Sequence, residues 1–247
     1  VGFDFEPAGY KKHLEQFPNL KLDLDILLNM FTATCYIVND KNSNQNIVFH
    51  GGALFQSGKI VLKDRGISKD NVKIAIVSPD SLDALEKFPK QYIEMGIPFI
   101  YDPGQLCPIL DSKVLADIVP HAKIIIGNEF EIEKICEKMN TSIEGLLKLC
   151  PTVIRTEGAN GVSIFCRDQQ PEHLDAVVPD KVVDTTGAGD GFRAGLLYGL
   201  YNDKSVLESA KWGASVSSFV VEENGGQGHK FNMEQLKQRL EKTYGPL

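Results

Sequence analysis

The 247-residue sequence predicts an α/β fold, namely a doubly wound, mostly parallel sheet with helices on both faces and a small β-hairpin. Two observations support this. From about Val72 onward, short runs of apolar and β-branched residues alternate with longer stretches in which apolar residues recur every three or four positions. Near-continuous apolar runs are typical of parallel strands buried on both faces, and the longer stretches are typical of the helices that connect them.

The sheet region contains predicted strands and helices in regular alternation. The strands lie in VKIAIVSP, PFIYDPG, AKIIIGN and PTVIRTEG, which begin at Val72, Pro98, Ala122 and Pro151. The helices are predicted over Ser81–Met95, Ser112–Val119, Glu129–Met139 and Ser142–Leu149. This order favours parallel strands joined by right-handed helical crossovers.

A β-hairpin is predicted before this region. The segments FTATCYIVND (31–40) and NIVFHGGA (46–53) enclose the polar turn KNSNQ. Apolar segments on either side of a polar turn indicate an antiparallel pair. We expect residues 31–53 to form a lid or the substrate side of a site.

The C-terminal region is predicted to add edge strands and then three helices. Gly161–Gln169 and Val177–Val183 have the composition of antiparallel edge strands. The helices are predicted over Gly189–Tyr201, Val206–Val221 and Met233–Tyr244. Because there is no internal repeat and no linker, we expect residues 1–247 to form one domain.

Composition excludes several classes of function. The formal charge is −7, from 26 Lys and Arg against 33 Asp and Glu, and no basic run is present that would bind a phosphate backbone or an anionic membrane. No apolar run is long enough to span a bilayer. The five cysteines are scattered and include no CxxC pair, which argues against a disulfide framework and a zinc site. We therefore expect a cytoplasmic protein that binds neither nucleic acid nor membrane.

The segment DTTGAGDGFRAGLLYGL (184–200) gives the strongest indication of chemistry. A Gly-Ala-Gly turn opens a helix, so the unpaired amides of the first helical turn form an anion site at the positive end of the helix dipole. Gly187 and Gly189 leave room for a phosphate to approach the backbone. Asp190, beside that site, is suited to act as a general base. The alternative is that Asp190 is an ordinary acid of a first turn and that the glycines only form the turn.

The stretch Asp184–Leu197 resembles, position for position, the C-terminal signature of the ribokinase-like, or phosphofructokinase-B-type, carbohydrate and nucleoside kinases. NEFE, with Asn128 and Glu131, resembles the family's N-x-x-E element. RTEGANG, which begins at Arg155, resembles its nucleotide loop. These elements are in the family order, and the resemblance extends over essentially the whole chain.

The resemblance implies a role for each matching residue. Asp190 is expected to be the catalytic base, with the amides of Gly187, Ala188 and Gly189 stabilising the transferring phosphoryl group. Asn128 and Glu131 are expected to act near Mg²⁺ and the phosphates through water, although both also fit a capping box at a helix start. The further residues expected to bind the nucleotide are Thr156, Gly158, Gly161 and Asn224. For the first three of these, an ordinary turn between strands is the alternative.

The resemblance also implies ATP and Mg²⁺ as cofactors, and K⁺ as a further candidate. Family members often bind a monovalent cation beside the anion site. The matching positions are Asp184, Glu223 and Gly225.

The acceptor side most resembles the adenosine kinase branch. The matching segments are NSNQNIVFHGGA (42–53), FIYDPGQ (99–105) and GGQGH (225–229). Gln45, Phe49 and Asp190 are the predicted substrate-binding residues. The aromatic rings of Phe31, Tyr36 and Phe49 suit a purine, although alternating aromatics on a strand also suit a core.

The start of the sequence departs from the family pattern. Members usually begin with a strand, a Gly-Gly-x-x-x-Asn segment that holds the sugar hydroxyls, and a helix. VGFDFEPAGYKKHLEQF instead resembles the part of a member that lies after that segment. We therefore expect the N-terminal strand and helix of a typical member to be missing from this sequence. Those residues would best separate adenosine from a free sugar.

The sequence thus predicts an ATP-dependent kinase that phosphorylates a primary hydroxyl of a small molecule, with adenosine as the first candidate. A kinase of ribose or of a similar furanose is the alternative. A non-catalytic protein that binds a nucleotide or a sugar is the alternative of another class, and the presence of Asp190 argues against it. A homodimer is left open.

Overall fold

The computed structural model describes residues 1–39 and 45–246, and only the backbone of residues 39 and 45–47. The strands are β1 Thr34–Asn39, β2 Gln45–His50, β3 Ala75–Val77, β4 Phe99–Tyr101, β5 Ile124–Asn128, β6 Thr152–Thr156, β7 Val162–Cys166 and β8 Glu172–Leu174. The α-helices are α1 Tyr10–Leu14, α2 Leu82–Met95, α3 Ser112–Ile118, α4 Glu129–Lys138, α5 Ile143–Leu149, α6 Ala188–Tyr201, α7 Val206–Val220 and α8 Met233–Tyr244.

The main sheet has six strands in the order β3-β4-β5-β6-β7-β8. The first four strands are parallel, and β7 and β8 continue the sheet as antiparallel strands. Because the parallel strands follow one another in chain order, right-handed crossovers place α2, α3, α4 and α5 on one face. Helices α6 and α7 cover the other face. The predicted fold class is therefore confirmed, with the second face covered by the C-terminal helices.

Alternation along the strands divides the core between the two faces. Phe99 and Tyr101 pack with α2 to α5, whereas Ile100 between them packs on the side of α6 and α7. Burial on both faces explains why these strands are apolar without interruption. The carboxyl ends of β4, β5 and β6 consequently meet at one edge of the sheet, next to the start of α6.

Two predicted elements are wrong. Val177–Val183 is not a strand, because the short strand β8 pairs with β7 and the chain then leaves the sheet. The amide of Val183 instead donates to the carbonyl of Val221 at the end of α7 (2.8 Å). The second strand of the hairpin ends at His50, since Gly52 has a positive φ of 46° and begins a 3₁₀ helix over Gly52–Lys59.

The hairpin of β1 and β2 is confirmed, but its aromatic residues are not core. Phe31, Tyr36 and Phe49 are 56%, 65% and 53% exposed, so the interpretation of these side chains as core is wrong. In the described part of the chain, the helices are all too short or too polar to cross a bilayer.

Candidate active site

The turn before α6 requires glycine for two reasons. Gly187 is the N-cap of α6 and has a φ of 82°, in the left-handed region that side chains rarely adopt. A Cβ atom on Gly187 would lie 2.4 Å from the Cα of Gly226. The turn therefore depends on the absence of a side chain and on the close approach of a second loop.

Asp184 ties that second loop to the turn. Its Oδ1 accepts a hydrogen bond from the amide of Thr186 (2.9 Å), and its Oδ2 accepts one from the amide of Gly225 (2.9 Å). The hydrogen bonds from these two amides lower the pKa of Asp184, and the bond from Thr186 has the larger effect. The carboxylate thus stays ionised and holds the loop of residues 224–228 against the turn.

The same loop reaches the N-terminal region of the chain. Nε2 of His13 lies 3.0 Å from Oε1 of Gln227, and Nε2 of Gln227 donates to the Tyr10 hydroxyl (2.8 Å). Tyr10 and His13 are both in α1. Helix α1 therefore contacts the loop of residues 224–228, and this loop packs against the turn that precedes α6.

The first turn of α6 presents amides that have no partner. The amide of Ala188 donates to the carbonyl of Thr185 (3.2 Å). The amides of Gly189 and Asp190 donate to no acceptor within residues 1–39 and 45–246. Unpaired amides at a helix N-terminus form a site for an anion such as a phosphate.

Asp190 is exposed, and a buried ion pair lies next to it. Its side chain is 86% exposed, and Oδ1 lies 3.8 Å from Nη1 of Arg193, one turn further along α6. Nε of Arg193 donates to Oδ2 of Asp102, which is fully buried directly after β4. The three residues form a row from the protein interior to the surface.

The surroundings of the ion pair shift the pKa values of both of its members. Burial raises the pKa of Asp102 to about 6, an effect that the positive charge of Arg193 opposes and that Glu131 and Asp190 increase. Burial alone would lower the pKa of Arg193, but Asp102 and the other nearby carboxylates raise it. Arg193 is therefore a cation surrounded by carboxylates.

Asn128 and Glu131 form a capping box at the start of α4. The Asn128 side chain accepts from the Glu131 amide (2.9 Å), and Oε2 of Glu131 accepts from the Asn128 amide (2.8 Å). The capping role that the sequence offered as an alternative for these residues is therefore present in the structure. The capping box uses only one carboxylate oxygen of Glu131, so Oε1 of Glu131 accepts no hydrogen bond from the described residues.

The predicted nucleotide loop and the glycine turn line one cavity of about 490 Å³. Thr156, Gly158 and Gly161 contribute one wall, and Ala188 and Gly189 contribute another. The remaining walls are mainly apolar, and include Val177, Val178, Pro179, Val182, Phe192 and Val221. An apolar chamber with unpaired amides at one end suits a flat heterocycle attached to phosphates.

Gly161 shapes the loop at this cavity. Its φ is 100°, and a Cβ there would lie 2.0 Å from the carbonyl oxygen of Leu174. Gly158 also has a positive φ, 58°, but no atom lies within 4 Å of its Cβ position. The loop is thus tightly packed at Gly161 and open at Gly158.

Other predicted site residues lie apart from this cavity. Asn224 is exposed and does not line it. The Glu223 carboxylate lies 3.5 Å from Nζ of Lys181. Phe49 is on the hairpin and lines neither this cavity nor a second cavity of about 650 Å³ between residues 23–33 and 53–60. The side chain of Gln45 lies outside the described part of the structure.

Sequence reasoning did not identify Asp102 or Arg193 as site residues. The available signals were an acid directly after a buried strand, in FIYDPGQ, and a basic residue three positions after Asp190. Neither signal indicates that the two residues pair, because they are 91 positions apart. Within the described residues, no cluster of three or more His, Cys, Asp or Glu suits a metal ion.

Comparison with known proteins identifies relatives along the whole chain. A family model described as pfkB family carbohydrate kinase matches residues 1–231. A nucleoside kinase of Methanocaldococcus jannaschii is 30% identical over 245 residues, 98% of this chain and 78% of the relative. An adenosine kinase of Saccharomyces cerevisiae is 29% identical over 163 residues, 60% of this chain and 47% of the relative.

Solved structures agree with the sequence matches. A Burkholderia thailandensis nucleoside kinase in complex with inosine has a TM-score of 0.91 and 28% identity, and the match covers 99% of this chain and 78% of that one. The structure of a Methanocaldococcus jannaschii nucleoside kinase, described as an archaeal member of the ribokinase family, has a TM-score of 0.89 and 27% identity over 98% of this chain and 79% of that one.

Proposed function

This chain belongs to the pfkB family of carbohydrate kinases and is therefore an ATP-dependent kinase that acts on a hydroxyl group, and from that premise we propose that its acceptor is a purine nucleoside, with adenosine as the first candidate. The observation that carries the proposal is the match to nucleoside kinases over nearly the full chain, including one solved with inosine. The similarity to an adenosine kinase over a shorter stretch supports adenosine.

The proposed reaction proceeds at the mouth of the glycine turn. The acceptor oxygen attacks the γ-phosphorus of ATP, a new oxygen–phosphorus bond forms, and the bond to the β-phosphate breaks to release ADP. Asp190 takes the proton that the acceptor hydroxyl loses. Its exposure and its position beside unpaired amides support this role.

The amides of the first turn of α6 are proposed to bind the transferring phosphoryl group. Those of Gly189 and Asp190 are available in the described structure, whereas the amide of Ala188 already donates to Thr185. Fixed donors stabilise charge that develops during the reaction. The cavity bounded by Thr156, Gly158 and Gly161 is proposed to hold the ATP base and the chain of phosphates.

The residues present fit Mg²⁺ bound through water. When bound, the ion supplies neutralisation of the phosphate charge. Glu131 would hold it with the carboxylate oxygen that the capping box leaves free, and Asn128 fixes Glu131 in that orientation. Mg²⁺ keeps several of its waters and often needs only one or two carboxylates besides the phosphates, so one free oxygen of Glu131 is sufficient.

A monovalent cation such as K⁺ is proposed at Asp184, Glu223 and Gly225. Asp184 and Gly225 are in contact, and both Asp184 oxygens already accept amide hydrogen bonds. The Glu223 carboxylate is directed to Lys181. The backbone of Glu223 is therefore the part proposed to contact the ion. Asn224, which lies between Glu223 and Gly225 in the sequence, is proposed to contact the nucleotide from the same loop.

Gln45 and Phe49 are proposed to contact the acceptor from the hairpin. Exposure of the Phe49 ring supports this role, because an exposed aromatic face is available to a purine.

An assay of ADP formation with adenosine, inosine, ribose and fructose 6-phosphate tests the proposal. We expect kcat/KM to be highest with adenosine and measurable with inosine. Higher kcat/KM with inosine would keep the purine nucleoside and remove adenosine as the first candidate. A preference for ribose or fructose 6-phosphate would overturn the nucleoside assignment and favour a sugar kinase. ADP binding without turnover of any acceptor would favour a non-catalytic nucleotide-binding protein.

A further inference from the structure

A buried ion pair lies directly behind the proposed base. Asp102 is fully buried after β4, and Oδ2 accepts a hydrogen bond from Nε of Arg193. Nη1 of Arg193 lies 3.8 Å from Oδ1 of Asp190. The guanidinium therefore connects a carboxylate in the interior with the carboxylate proposed to take the proton.

Stability alone does not explain this pair. Removing two charges from water is unfavourable, and replacement of such a pair by apolar residues is often neutral or stabilising. Oδ1 of Asp102 is buried and has no hydrogen-bond partner among the described residues, so the carboxylate is only half satisfied. An arrangement that disfavours folding and lies next to a proposed catalytic group indicates a role in the reaction.

The packing around Arg193 fixes where its charge lies. A Cβ atom on Gly189 would lie 2.5 Å from Nη1 of Arg193, so the guanidinium occupies space that this glycine leaves open. The cation is thus held against Gly189, with Nη1 3.8 Å from Oδ1 of Asp190. Its side chain is only 18% exposed, and this restricts the alternative orientations open to it.

We propose that Asp102 is a positioning residue, which acts through Arg193 to hold a positive charge beside Asp190. The inference rests on the proposed function, because it assigns a role within that reaction. At 3.8 Å the Arg193 nitrogen attracts the Asp190 carboxylate but makes no hydrogen bond with it, so the oxygen that must accept the proton remains available. Without Asp102, the guanidinium would lack the carboxylate that holds it back and could close the remaining 3.8 Å separation to pair with Asp190 directly.

Steady-state kinetics of three variants test this. We expect Asp102→Asn to lower kcat about tenfold while KM for ATP and for the nucleoside stays within about twofold, because misplacement affects the reaction more than binding. The double variant Asp102→Asn/Arg193→Gln should have a kcat no lower than that of Asp102→Asn, because the cation that Asp102 positions is already misplaced in the single variant. In Asp102→Asn, Arg193 keeps the nearby carboxylates of Asp190 and Glu131, and in the double variant both charges of the pair are absent, so both variants are expected to fold.

Glu222→Gln is the matched control. Glu222 also pairs with a largely buried arginine, since its Oε1 lies 2.7 Å from Nη1 of Arg239. We expect this variant to lose stability and to keep kcat. An equal fall of kcat in Glu222→Gln would show that the effect of Asp102→Asn is general destabilisation, and would overturn the inference.

The remaining outcomes separate this inference from the proposed function. If the wild-type protein is active and Asp102→Asn keeps kcat within twofold, the positioning role is wrong and the proposed function stands. If the double variant loses a further tenfold, Arg193 acts independently of Asp102, which also overturns the inference. If the wild-type protein phosphorylates no nucleoside, the proposed function fails and the inference fails with it.

Discussion

The turn of residues 184–190 and the hairpin of β1 and β2 both reach solvent, but different contacts hold them. The turn is joined to residues 225–226 by the Asp184 carboxylate and by the close approach of Gly187. The hairpin is held by its own antiparallel ladder. Several of its apolar side chains are largely exposed, including Tyr36, Val38 and Val48.

This difference distinguishes the proposed phosphate-donor side of the site, at the turn, from the proposed acceptor side, at the hairpin. The donor side is built at the edge of a buried sheet, where each group has several independent constraints. The proposed acceptor side includes a two-stranded sheet with few buried side chains, which carries little stability of its own. Substitutions in the turn should therefore change both chemistry and stability, whereas substitutions in the hairpin should change acceptor binding with little effect on the fold.

The largest expected effect is the loss of kcat when the proposed base is removed. Asp190→Asn should lower kcat by about 10²- to 10⁴-fold, because the variant lacks the base, while ADP affinity measured by calorimetry stays unchanged. Asp83→Asn is a matched control, since Asp83 is also an exposed acid in the first turn of a helix. Wild-type kcat in Asp190→Asn would exclude Asp190 as the base.

Asp102 should give the donor side a pH-dependent stability. Its pKa is about 6 in the folded protein against an ordinary 3.8, so the folded state holds this proton more tightly. The resulting stabilisation is present below the ordinary value and is lost as pH rises through about 6. The free energy of unfolding should fall over this range by at most about 3 kcal/mol.

Urea unfolding at several pH values measures this contribution. The difference between wild type and Asp102→Asn isolates it, because groups with lowered pKa values such as Asp184 and Glu157 remain in both proteins. Parallel pH profiles for the two proteins would contradict the prediction.

Gly187→Ala should damage the turn in two ways. A left-handed alanine costs about 1–2 kcal/mol, and the added Cβ would also contact Gly226. We expect a higher KM for ATP together with a lower kcat, and a lower melting temperature. Gly66→Ala is the control, because Gly66 has a φ of 70° but no atom within 4 Å of its Cβ position. Equal effects of the two substitutions would mean that the turn at Gly187 has no role of its own in ATP binding or in the reaction.

Glu131→Gln should alter the dependence on Mg²⁺. Half-maximal activity should require several-fold more Mg²⁺, because the carboxylate proposed to hold the hydrated ion is lost. Glu208→Gln is closely matched, since Glu208 forms the same capping box with Ser205 at the start of α7. Both variants should lose a small and similar amount of stability, because each loses a carboxylate at a helix N-terminus. An unchanged Mg²⁺ titration of Glu131→Gln would leave this residue with a capping role only.

The smallest effect is expected in the hairpin. Phe49→Ala should raise KM for the nucleoside about two- to tenfold, in line with the loss of an aromatic contact, with the melting temperature unchanged. Val48→Ala should change neither quantity, because Val48 is exposed on the opposite face of the same strand. A large loss of stability in Phe49→Ala would show that the hairpin is structural.

The accuracy of the sequence-based predictions depended on how local each signal is. The helix predicted over Met233–Tyr244 has those bounds, because Asn232 and Gln235 form a capping box beside an amphipathic stretch. The turn at Gly187 was equally recognisable, since its residues are contiguous. In contrast, Val177–Val183 has a strand-like composition, but its backbone bonds the end of α7, which no local pattern indicates.

The pairing of Asp102 with Arg193 shows the same limit at the site. Each residue is ordinary in its own segment, and only the fold brings the end of β4 to the side of α6. The succession of strands and helices along the chain could be predicted, but the identity of side chains that meet across 91 positions could not.

The contact between α1 and Gln227 has a consequence for the order of events during synthesis. His13 and Gln227 are 214 residues apart, and Gly226 beside that glutamine completes the packing of Gly187. The first segment of the chain leaves the ribosome long before its partner and must wait for it. The turn of residues 184–190 therefore reaches its packed form only after the loop of residues 224–228 has been synthesised.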